Sequence, residues 1–391
     1  MTTAVLGSRD LFPTLEARSY LNHAAVCPPS LVVRQAVADW MELYSRKGLD
    51  AVYPAMEQRK VLKESLAGLI NCSADDLAIT ISTSRGLMEL SNCIPLQEGD
   101  RILCFDGEFP TNVTPWQSTA RAIGATVTLL PQYGLDDDAV LAEVETALQE
   151  GGVRLIAVSA VQFSTGRAMP IRELVTLAHA HGAEVCVDAI QALGVMPFDV
   201  AELKIDYLAS GAHKWLMGIE GVGFVYAAKS RLSALRPRTS GWLSHESPVG
   251  FLFEGPGHLR YDRPIRQSID FIEAHSLSVV GCAALESSVS LIRALTVPKI
   301  QAHVRTFNDA LEEGLLARGF RTLRPTGSPS GTLSMLPPEG QSTVDWTKHF
   351  NASGISMSGP DGKLRFAPHW PNHFDEIHLI LEAADHLMGR R

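Results

Sequence analysis

Between about residues 75 and 230 the chain alternates short apolar runs with stretches whose apolar positions recur at helical spacing. Candidate helices cover 136–149, which has an acidic start, and 170–181, which Pro170 opens and Gly182 closes. An alternation of strand and helix predicts an α/β fold with a mostly parallel sheet and helices on both faces. The predicted strands are 77–81, 101–105, 126–130, 154–159, 184–188, 207–210 and 223–227.

The pattern changes in the last third of the chain. Residues 269–293 predict one long helix that leads away from the sheet. A helix at about 298–318, strands near 332–336 and 363–366, and an amphipathic helix at 373–388 then predict a smaller α+β domain. The boundary between the two patterns lies near residue 268.

At 391 residues the chain is longer than one compact core normally grows, so two domains are expected. We predict an N-terminal segment over 1–25 that packs near the active site and a large cofactor-binding domain over 26–268. Residues 269–391 are expected to form the connecting helix and the small domain. The hydrophobic content of 46% and the charged content of 20% are typical of a globular protein.

The formal net charge of −9 argues against a nucleic-acid partner, because no basic stripe offsets the acidic balance. Arginines do cluster at 231–238 and 260–266. A solvated face or an intersubunit contact explains these clusters better than an anion site.

The six cysteines are scattered in apolar contexts, and none forms a CxxC pair. Neither a zinc site nor a disulfide framework is supported, and no other metal is predicted. Buried free thiols indicate a reducing compartment. The N-terminal residues show no signal-peptide pattern, and no run approaches the roughly 20 apolar residues of a membrane helix. We therefore expect a cytoplasmic protein that does not bind a membrane.

Two segments carry residue types that serve one chemistry. Residues 185–188 predict a buried strand that ends on the carboxylate of Asp188, and residues 210–214 predict a small-residue turn that presents Lys214. Both belong at the carboxyl edge of a parallel sheet, where ligands bind. A lysine that forms a Schiff base and a carboxylate that keeps a pyridine nitrogen protonated are what pyridoxal 5′-phosphate (PLP) requires.

Thr83, Ser84 and Arg85 lie where a predicted strand gives way to a helix starting near 85. Free N–H groups and the positive end of a helix dipole favour a phosphate at such a turn. An ordinary Ser/Thr helix cap is the alternative, and the same atoms could serve both roles.

Six motifs in matching order resemble the class V aminotransferase group of fold-type I PLP enzymes over nearly the whole chain. This group includes isopenicillin-N-epimerase-like proteins, cysteine desulfurases, kynureninases and C–S lyases. The motifs are Tyr-Leu-Asn-His-Ala-Ala (20–25), Ser-Thr-Ser-Arg-Gly-Leu (82–87), Glu-Phe-Pro-Thr-Asn (108–112), Asp188 with Gln191, His213-Lys214-Trp215, and Leu-Arg-Phe-Ala-Pro-His-Trp-Pro-Asn (364–372).

The resemblance implies a role for each matching residue around the cofactor. Lys214 would be the Schiff-base lysine and the base at the substrate α-carbon. Asp188 would pair with the pyridine nitrogen, and Gln191 would donate to the phenolic oxygen. His213 would reach the phosphate, and Phe109 would stack on the pyridine, although by itself Phe109 would be taken as a core residue.

On the substrate side, the resemblance assigns Arg365 to the α-carboxylate, which suits a bidentate guanidinium. A strand-end surface charge is the alternative for Arg365. Asn22 and His23 are expected to line the substrate side. A serine that many relatives have is replaced by Gly211 here; Ser210, or Ser276 of a partner subunit, could compensate.

The same resemblance implies a homodimeric enzyme that acts on an amino acid, in which an external aldimine forms and the α-proton is removed. Cysteine desulfurases carry a nucleophilic cysteine shortly before the arginine, but 355–363 has none and no cysteine follows Cys282. We therefore favour an aminotransferase or epimerase-like activity, with a β-eliminating C–S lyase as the alternative. A non-catalytic protein of this fold is disfavoured, because Lys214, Asp188 and Arg365 are all present.

Two other site types find no support. The glycines of 218–223 precede a predicted strand, whereas a dinucleotide-binding loop follows one. His369 and His373 have the spacing of helical metal ligands, but Pro371 between them would break that helix.

Overall fold

The computed structural model of the protein describes residues 4–389. Its strands are β1 (Ser19–Tyr20), β2 (Leu77–Thr80), β3 (Arg101–Phe105), β4 (Thr126–Leu130), β5 (Val153–Ser159), β6 (Glu184–Asp188), β7 (Tyr207–Gly211), β8 (Gly223–Ala227), β9 (Arg321–Thr322), β10 (Leu333–Leu336), β11 (Ile355–Ser356) and β12 (Leu364–Phe366).

The α-helices are α1 (Leu31–Lys47), α2 (Val52–Ile70), α3 (Thr83–Cys93), α4 (Thr114–Ile123), α5 (Asp137–Gln149), α6 (Ile171–Ala180), α7 (Val200–Leu203), α8 (Lys229–Leu232), α9 (Gly250–Phe253), α10 (Val279–Leu295), α11 (Val297–Leu316), α12 (Thr343–Ala352) and α13 (Glu376–Leu387). Short 3-10 helices cover Gly48–Ala51, Ala74–Asp76, Pro110–Asn112, Trp242–Ser244, Ile269–Ile272 and Pro360–Gly362.

The central sheet has the strand order β2-β8-β7-β6-β5-β3-β4. The strand β8 is antiparallel to both of its neighbours, and the other neighbouring pairs are parallel. This confirms the predicted mostly parallel sheet. A parallel return from β7 to β8 would need a crossover of a dozen or more residues, and the short connection 212–222 instead reverses the chain.

Reversal of β8 alone leaves the carboxyl ends of the other strands at one edge of the sheet. Register pairs Ser159 of β5 with Asp188 of β6, and Asp188 with Ala209 of β7. The turn after β7 and the start of α3 after β2 lie at the same edge. The topology therefore brings together residues that are more than a hundred positions apart in sequence.

The C-terminal part forms the predicted smaller α+β unit. Its sheet has the order β12-β10-β9, and both pairs are antiparallel. Leu21 from the N-terminal segment joins its buried apolar cluster, and β1 pairs in parallel with β11. The sequence pattern predicted neither of these two-residue strands, because so short an extended segment carries no periodicity.

The prediction of one helix over 269–293 is wrong. A 3-10 helix covers Ile269–Ile272, and α10 begins only at Val279, where Ser278 caps it by accepting from the N–H of Gly281 at 3.1 Å. The intervening segment turns Glu273 inward, so that its Oε1 accepts from the N–H of Ile79 at 2.9 Å. A continuous helix would remove that bond from β2.

The helix after β2 begins at Thr83, two residues before its predicted start, with Ser82 as the cap. The sequence analysis also did not identify α1 and α2, against which α10 packs. Within residues 4–389 no single helix is long and apolar enough to cross a membrane, although α10 and α11, bent by 78°, pass that test as a pair.

Candidate active site

A cavity of about 390 Å³ opens at the carboxyl edge of the central sheet. Side chains from β6, from the turn after β7, from α3 and from β12 form its wall, so both parts of the chain contribute. The wall contains eight of the predicted residues: Thr83, Ser84, Phe109, Asp188, Gln191, His213, Lys214 and Arg365.

Lys214 lies in the turn between β7 and β8, with its Nζ 5.6 Å from the centroid of the Phe109 ring. Burial lowers the pKa of Lys214 to about 8, with Asp188 opposing the shift and Arg365 adding to it. A substantial fraction of this amine is therefore neutral near pH 8, the form that can act as a nucleophile or take a proton.

Asp188 ends β6 and is buried, and its Oδ1 accepts from the N–H of Ile190 at 3.0 Å. Burial raises the pKa of Asp188 to about 7, although the Ile190 N–H and Lys214 act to lower it. Such a carboxylate is well suited to a cationic partner that enters the cavity, because the partner supplies the missing countercharge.

Gln191 is held by two buried hydrogen bonds. Its Oε1 accepts from Trp215 Nε1 at 2.8 Å, and its Nε2 donates to the carbonyl oxygen of Ala24 at 3.1 Å. These bonds fix the orientation of the amide, and the second hydrogen of Nε2 is left to donate to a ligand. This is the orientation that an anionic phenolic oxygen requires.

The N-terminus of α3 forms one end of the cavity. Ser82 Oγ accepts from the N–H of Arg85 at 3.1 Å, which leaves the N–H groups of Thr83 and Ser84 at the open end of the helix. Thr83 Oγ1 is buried and has no partner among the described residues. A free hydroxyl beside a helix N-terminus suits an anion such as a phosphate.

Arg365 on β12 faces the cavity from the small C-terminal unit. Its guanidinium donates to the carbonyl oxygen of Phe163 at 2.9 Å and to Ser358 Oγ at 3.1 Å. The Nε is buried without a partner in the described chain, and burial lowers the pKa of Arg365 to about 10. An unpaired buried cation of this kind is well suited to a carboxylate ligand.

Residues 20–363 match the sequence profile of the family described as "Aminotransferase class-V". The chain belongs to the class-V aminotransferase family. The family match makes it a PLP-dependent enzyme and confirms the predicted cofactor. The residues of the cavity fit that cofactor. They include the buried Lys214 and Asp188 and the unpartnered hydroxyl of Thr83 at the N-terminus of α3.

Relatives of this class-V protein carry names that span several reactions. An uncharacterized aminotransferase, YcbU, of Bacillus subtilis is 27% identical, and 96% of each chain is covered. A probable cysteine desulfurase of Methanothermobacter thermautotrophicus is also 27% identical, over 97% of each chain. The isopenicillin N epimerase of Streptomyces clavuligerus is 26% identical over 84% of each chain.

The fold is similar to that of a cystine C–S lyase solved with its product cysteine persulfide. The TM-score is 0.87 at 22% identity, with 96% of this chain and 99% of the other covered. This similarity confirms the fold-type I architecture.

When bound, PLP accepts the electrons that a substrate α-carbon releases on losing a proton. In this cavity a neutral Lys214 amine can accept a proton, and the Arg365 guanidinium can bind a carboxylate. The Asp188 carboxylate can pair with a cationic group of the cofactor. His213 also lines the wall, and burial together with the nearby Lys214 lowers its pKa, so it is a neutral donor or acceptor.

Arg85 does not reach the cavity wall, although it was predicted to contact the phosphate. Its guanidinium pairs with Glu89, one turn along α3 and buried. The i,i+4 spacing on a helix makes this pair local, and the buried carboxylate makes it favourable. The N–H of Arg85 is likewise used by the Ser82 cap.

The structure does not bring Ser210 into the cavity wall. Its hydroxyl is buried on β7 and donates to the carbonyl oxygen of Gly211. Side chains alternate along a strand, so it is the neighbour Gly211 that faces Thr83 and His213. Ser276 is exposed in this chain and lies outside the wall, so its role in a partner's site stays a prediction.

Asn22 and His23 also lie outside the wall, and their neighbours Ala24 and Ala25 line it instead. The ring of His23 bonds through Nδ1 to the carbonyl oxygen of Ala367 at 2.9 Å, and burial lowers the pKa of His23 to about 4. His23 thus joins the N-terminal segment to β12 as a neutral structural residue.

His369 is a positioning residue to which the sequence analysis assigned no role. Its Nε2 donates to the carbonyl oxygen of Trp215 at 2.9 Å, while its Nδ1 accepts from the N–H of Trp370 at 2.7 Å. Burial lowers the pKa of His369, which keeps the ring neutral and in this tautomer. The small unit is thereby tied to the residue that follows Lys214.

Glu108 is a second residue without an assigned role. Its buried carboxylate accepts from the N–H of Ser159 at 2.8 Å, from the Ser159 hydroxyl, and from Gln162 Nε2 at 3.0 Å. Burial raises the pKa of Glu108, although these bonds oppose the shift. Glu108 fixes the turn that carries Phe109 to the end of β5.

We expect Glu108→Ala to lower the free energy of unfolding by about 2–4 kcal/mol, because it leaves the Ser159 N–H and the Gln162 amide buried without an acceptor. Urea denaturation followed by circular dichroism measures the change. Glu108→Gln retains a carbonyl oxygen at this position and should cost less than half as much. An alanine variant as stable as the parent would contradict this role.

Proposed function

We propose that the protein transforms an α-amino acid by removing its α-proton with Lys214, and that transamination or epimerisation follows. The main support for this proposal is that one cavity brings the Lys214 amine together with Asp188 and Arg365. The pKa of Lys214 is about 8, and Arg365 has no carboxylate partner in the described chain and an unpartnered Nε. The arginine would anchor the substrate carboxylate, which positions the α-carbon near the base.

Transamination is the favoured outcome. Among the described wall residues Lys214 is the one amine, and a single base that takes and returns a proton suffices for this reaction. Inversion at the α-carbon by a two-base route needs a proton donor on the opposite face. Of the other ionisable wall residues in the described chain, Asp188 and His213 are assigned to the cofactor, and Phe109 and Phe163 carry no proton donor.

Transfer of substrate sulfur to a cysteine of the enzyme, as in a cysteine desulfurase, is disfavoured. No cysteine lines the cavity in the part of the chain that the structure describes. The nearest to Lys214 in the hydrogen-bond network is Cys27, whose Sγ donates to the Lys214 carbonyl oxygen, and burial raises its pKa. This sulfur is held as a thiol behind the turn.

A single-turnover experiment in D₂O tests the proposal. PLP-loaded protein is mixed with L- and D-amino acids without a keto acid, while visible absorbance and products are followed. Loss of the cofactor's visible band with one equivalent of keto acid is the expected result. Deuterium at an inverted α-carbon would identify an epimerase, and pyruvate with a released thiol a β-eliminating lyase. No α-proton exchange with any amino acid would contradict the proposal.

We further propose that the enzyme is a homodimer. Two exposed aromatic side chains, Tyr53 and Phe253, lie together with their ring centroids 5.8 Å apart. Such exposed apolar side chains favour a protein partner. Light scattering across a concentration series would show twice the mass of one chain.

Cytoplasmic localisation also stays a prediction. It is supported by the six cysteines, all of which are free in the structure, as is typical of proteins from a reducing compartment.

A further inference from the structure

Trp215, the residue after Lys214, is bonded to both parts of the chain. Its Nε1 donates to Oε1 of the wall residue Gln191 at 2.8 Å. Its carbonyl oxygen accepts from His369 Nε2 of the small C-terminal unit at 2.9 Å. Trp215, Gln191 and His369 are at most 3% exposed within one chain, so a partner subunit cannot contribute to these bonds.

The indole ring of Trp215 also packs against the small unit. A Cβ added at Gly331 would lie 2.8 Å from the outer edge of the ring, closer than Cβ atoms approach such neighbours in proteins. Asn308 on α11 holds this glycine in place, because its Nδ2 donates to the Gly331 carbonyl oxygen at 2.9 Å. The loop before β10 therefore sets the position of the ring.

The indole in turn sets the orientation of the Gln191 amide. An indole N–H can only donate, whereas an amide can present either its oxygen or its nitrogen. Trp215 selects the oxygen, and the carbonyl oxygen of Ala24 accepts from the nitrogen at 3.1 Å. The reverse orientation would leave a donor facing a donor and an acceptor facing an acceptor in a buried place. The bond to Oε1 also polarises the amide, which strengthens Nε2 as a donor.

We propose that Trp215 is a positioning residue that couples the small C-terminal unit to Gln191, and through Gln191 to the phenolic oxygen of the cofactor. A shift of the small unit moves the ring, and the ring determines how well Gln191 donates. The inference rests on the role predicted for Gln191. It goes beyond the proposed reaction, because it concerns the cofactor before an amino acid binds.

The pH midpoint of the cofactor's visible band, measured without an amino acid, tests this coupling. A donor to the phenolic oxygen stabilises the form above the midpoint, in which that oxygen carries more negative charge. A weaker donor should therefore raise the midpoint. We expect a rise of about one pH unit in Gln191→Leu and of at least about 0.5 unit in Trp215→Phe.

Trp346→Phe is the matched control. Trp346 is also buried, and its Nε1 donates to Gln341 Oε1 at 2.7 Å, but it belongs to the apolar cluster of the small unit. This variant loses the same kind of bond away from the cavity, so its midpoint should equal that of the parent. Circular dichroism checks that each variant is folded.

A double-mutant cycle shows whether Trp215 acts through Gln191. In the Gln191→Leu background, Trp215→Phe should shift the midpoint by less than about 0.2 unit. If Trp215→Phe fails to fold, β-(3-benzothienyl)alanine at this position keeps the shape of the ring, lacks the N–H and gives the same comparison.

Gly331→Ala tests the connection to the small unit. The added Cβ displaces the ring and weakens its bond to Gln191, since that bond is at its optimal length. The midpoint should rise in the parent background and stay constant in the Gln191→Leu background.

Three results would overturn the inference. They are a folded Trp215 variant with the parent midpoint, an equal shift with and without the Gln191 side chain, and an unchanged midpoint in Gly331→Ala. Absence of α-proton exchange with every amino acid would contradict the proposed function alone, because the midpoint is measured without substrate.

Discussion

Replacing Lys214 with alanine is expected to lower kcat for α-proton exchange by about 10³-fold or more, because the one amine of the cavity wall in the described chain is removed. The PLP-loaded variant should also lose the visible band that depends on the lysine. Stopped-flow absorbance and isotope exchange measure the two effects. Circular dichroism should show that the fold is retained.

The pH dependence gives this prediction a second readout. Burial lowers the pKa of Lys214 to about 8, so the fraction of neutral amine grows as pH rises through that value. A protonated amine cannot accept the α-proton. The rate of exchange should therefore rise with pH and level off above about 8.

Lys60 provides the matched control, because its side chain is 66% exposed and its nearest acid is Glu57 on the same helix. Lys60→Ala should leave the rate and the visible band unchanged. A Lys214→Ala protein that keeps both the band and the exchange rate would contradict the assignment of the lysine.

Replacing Arg365 with methionine is expected to lower kcat/KM for amino acids by at least about 30-fold. Truncating one partner of a buried charge pair costs about 2–5 kcal/mol. The visible spectrum of the PLP-loaded protein should stay unchanged, because the hydrogen bonds of Arg365 go to Phe163 and Ser358 and not to Lys214 or Asp188. Steady-state kinetics with the best amino acid of the panel measures the loss.

The specificity of this effect can be tested with a substrate that lacks the carboxylate. A primary amine with the same side chain should react equally slowly with the parent and with Arg365→Met. Arg324→Met is the matched control, because Arg324 is also buried but pairs with Asp309 and Glu312 away from the cavity. It should lower stability without changing KM. An unchanged KM in Arg365→Met would refute the carboxylate role.

Local pattern was sufficient wherever a residue's role depends on its position along a strand or turn. The shared position of Asp188 and Lys214 could be predicted because a buried apolar run and a small-residue turn mark the ends of strands that share one edge. The motif around Arg365 placed it correctly on β12. The residue types themselves then indicated the cofactor.

Local pattern failed where burial, or a partner distant in sequence, decides which contact a side chain makes. Arg85 lies at a helix N-terminus, where a phosphate could bind. Its guanidinium pairs instead with the buried Glu89, one turn along α3. Glu108 shows no periodic signal, because its partners Ser159 and Gln162 lie more than 50 residues further along. The helix predicted over 269–293 is interrupted around Glu273, because the Glu273 carboxylate accepts from the N–H of Ile79 on β2.

Sequence alone was enough for the alternation of strands and helices over residues 75–230, for the mostly parallel sheet and for the placement of a strand-end carboxylate and a turn lysine at one edge of it. These depend on apolar periodicity and on residue chemistry, which are local properties. The tertiary structure alone decided which side chains reach the cavity and which are consumed by buried partners. Burial acts through neighbours that are distant in sequence, and it is burial that sets the pKa of Lys214, of Asp188 and of Arg365.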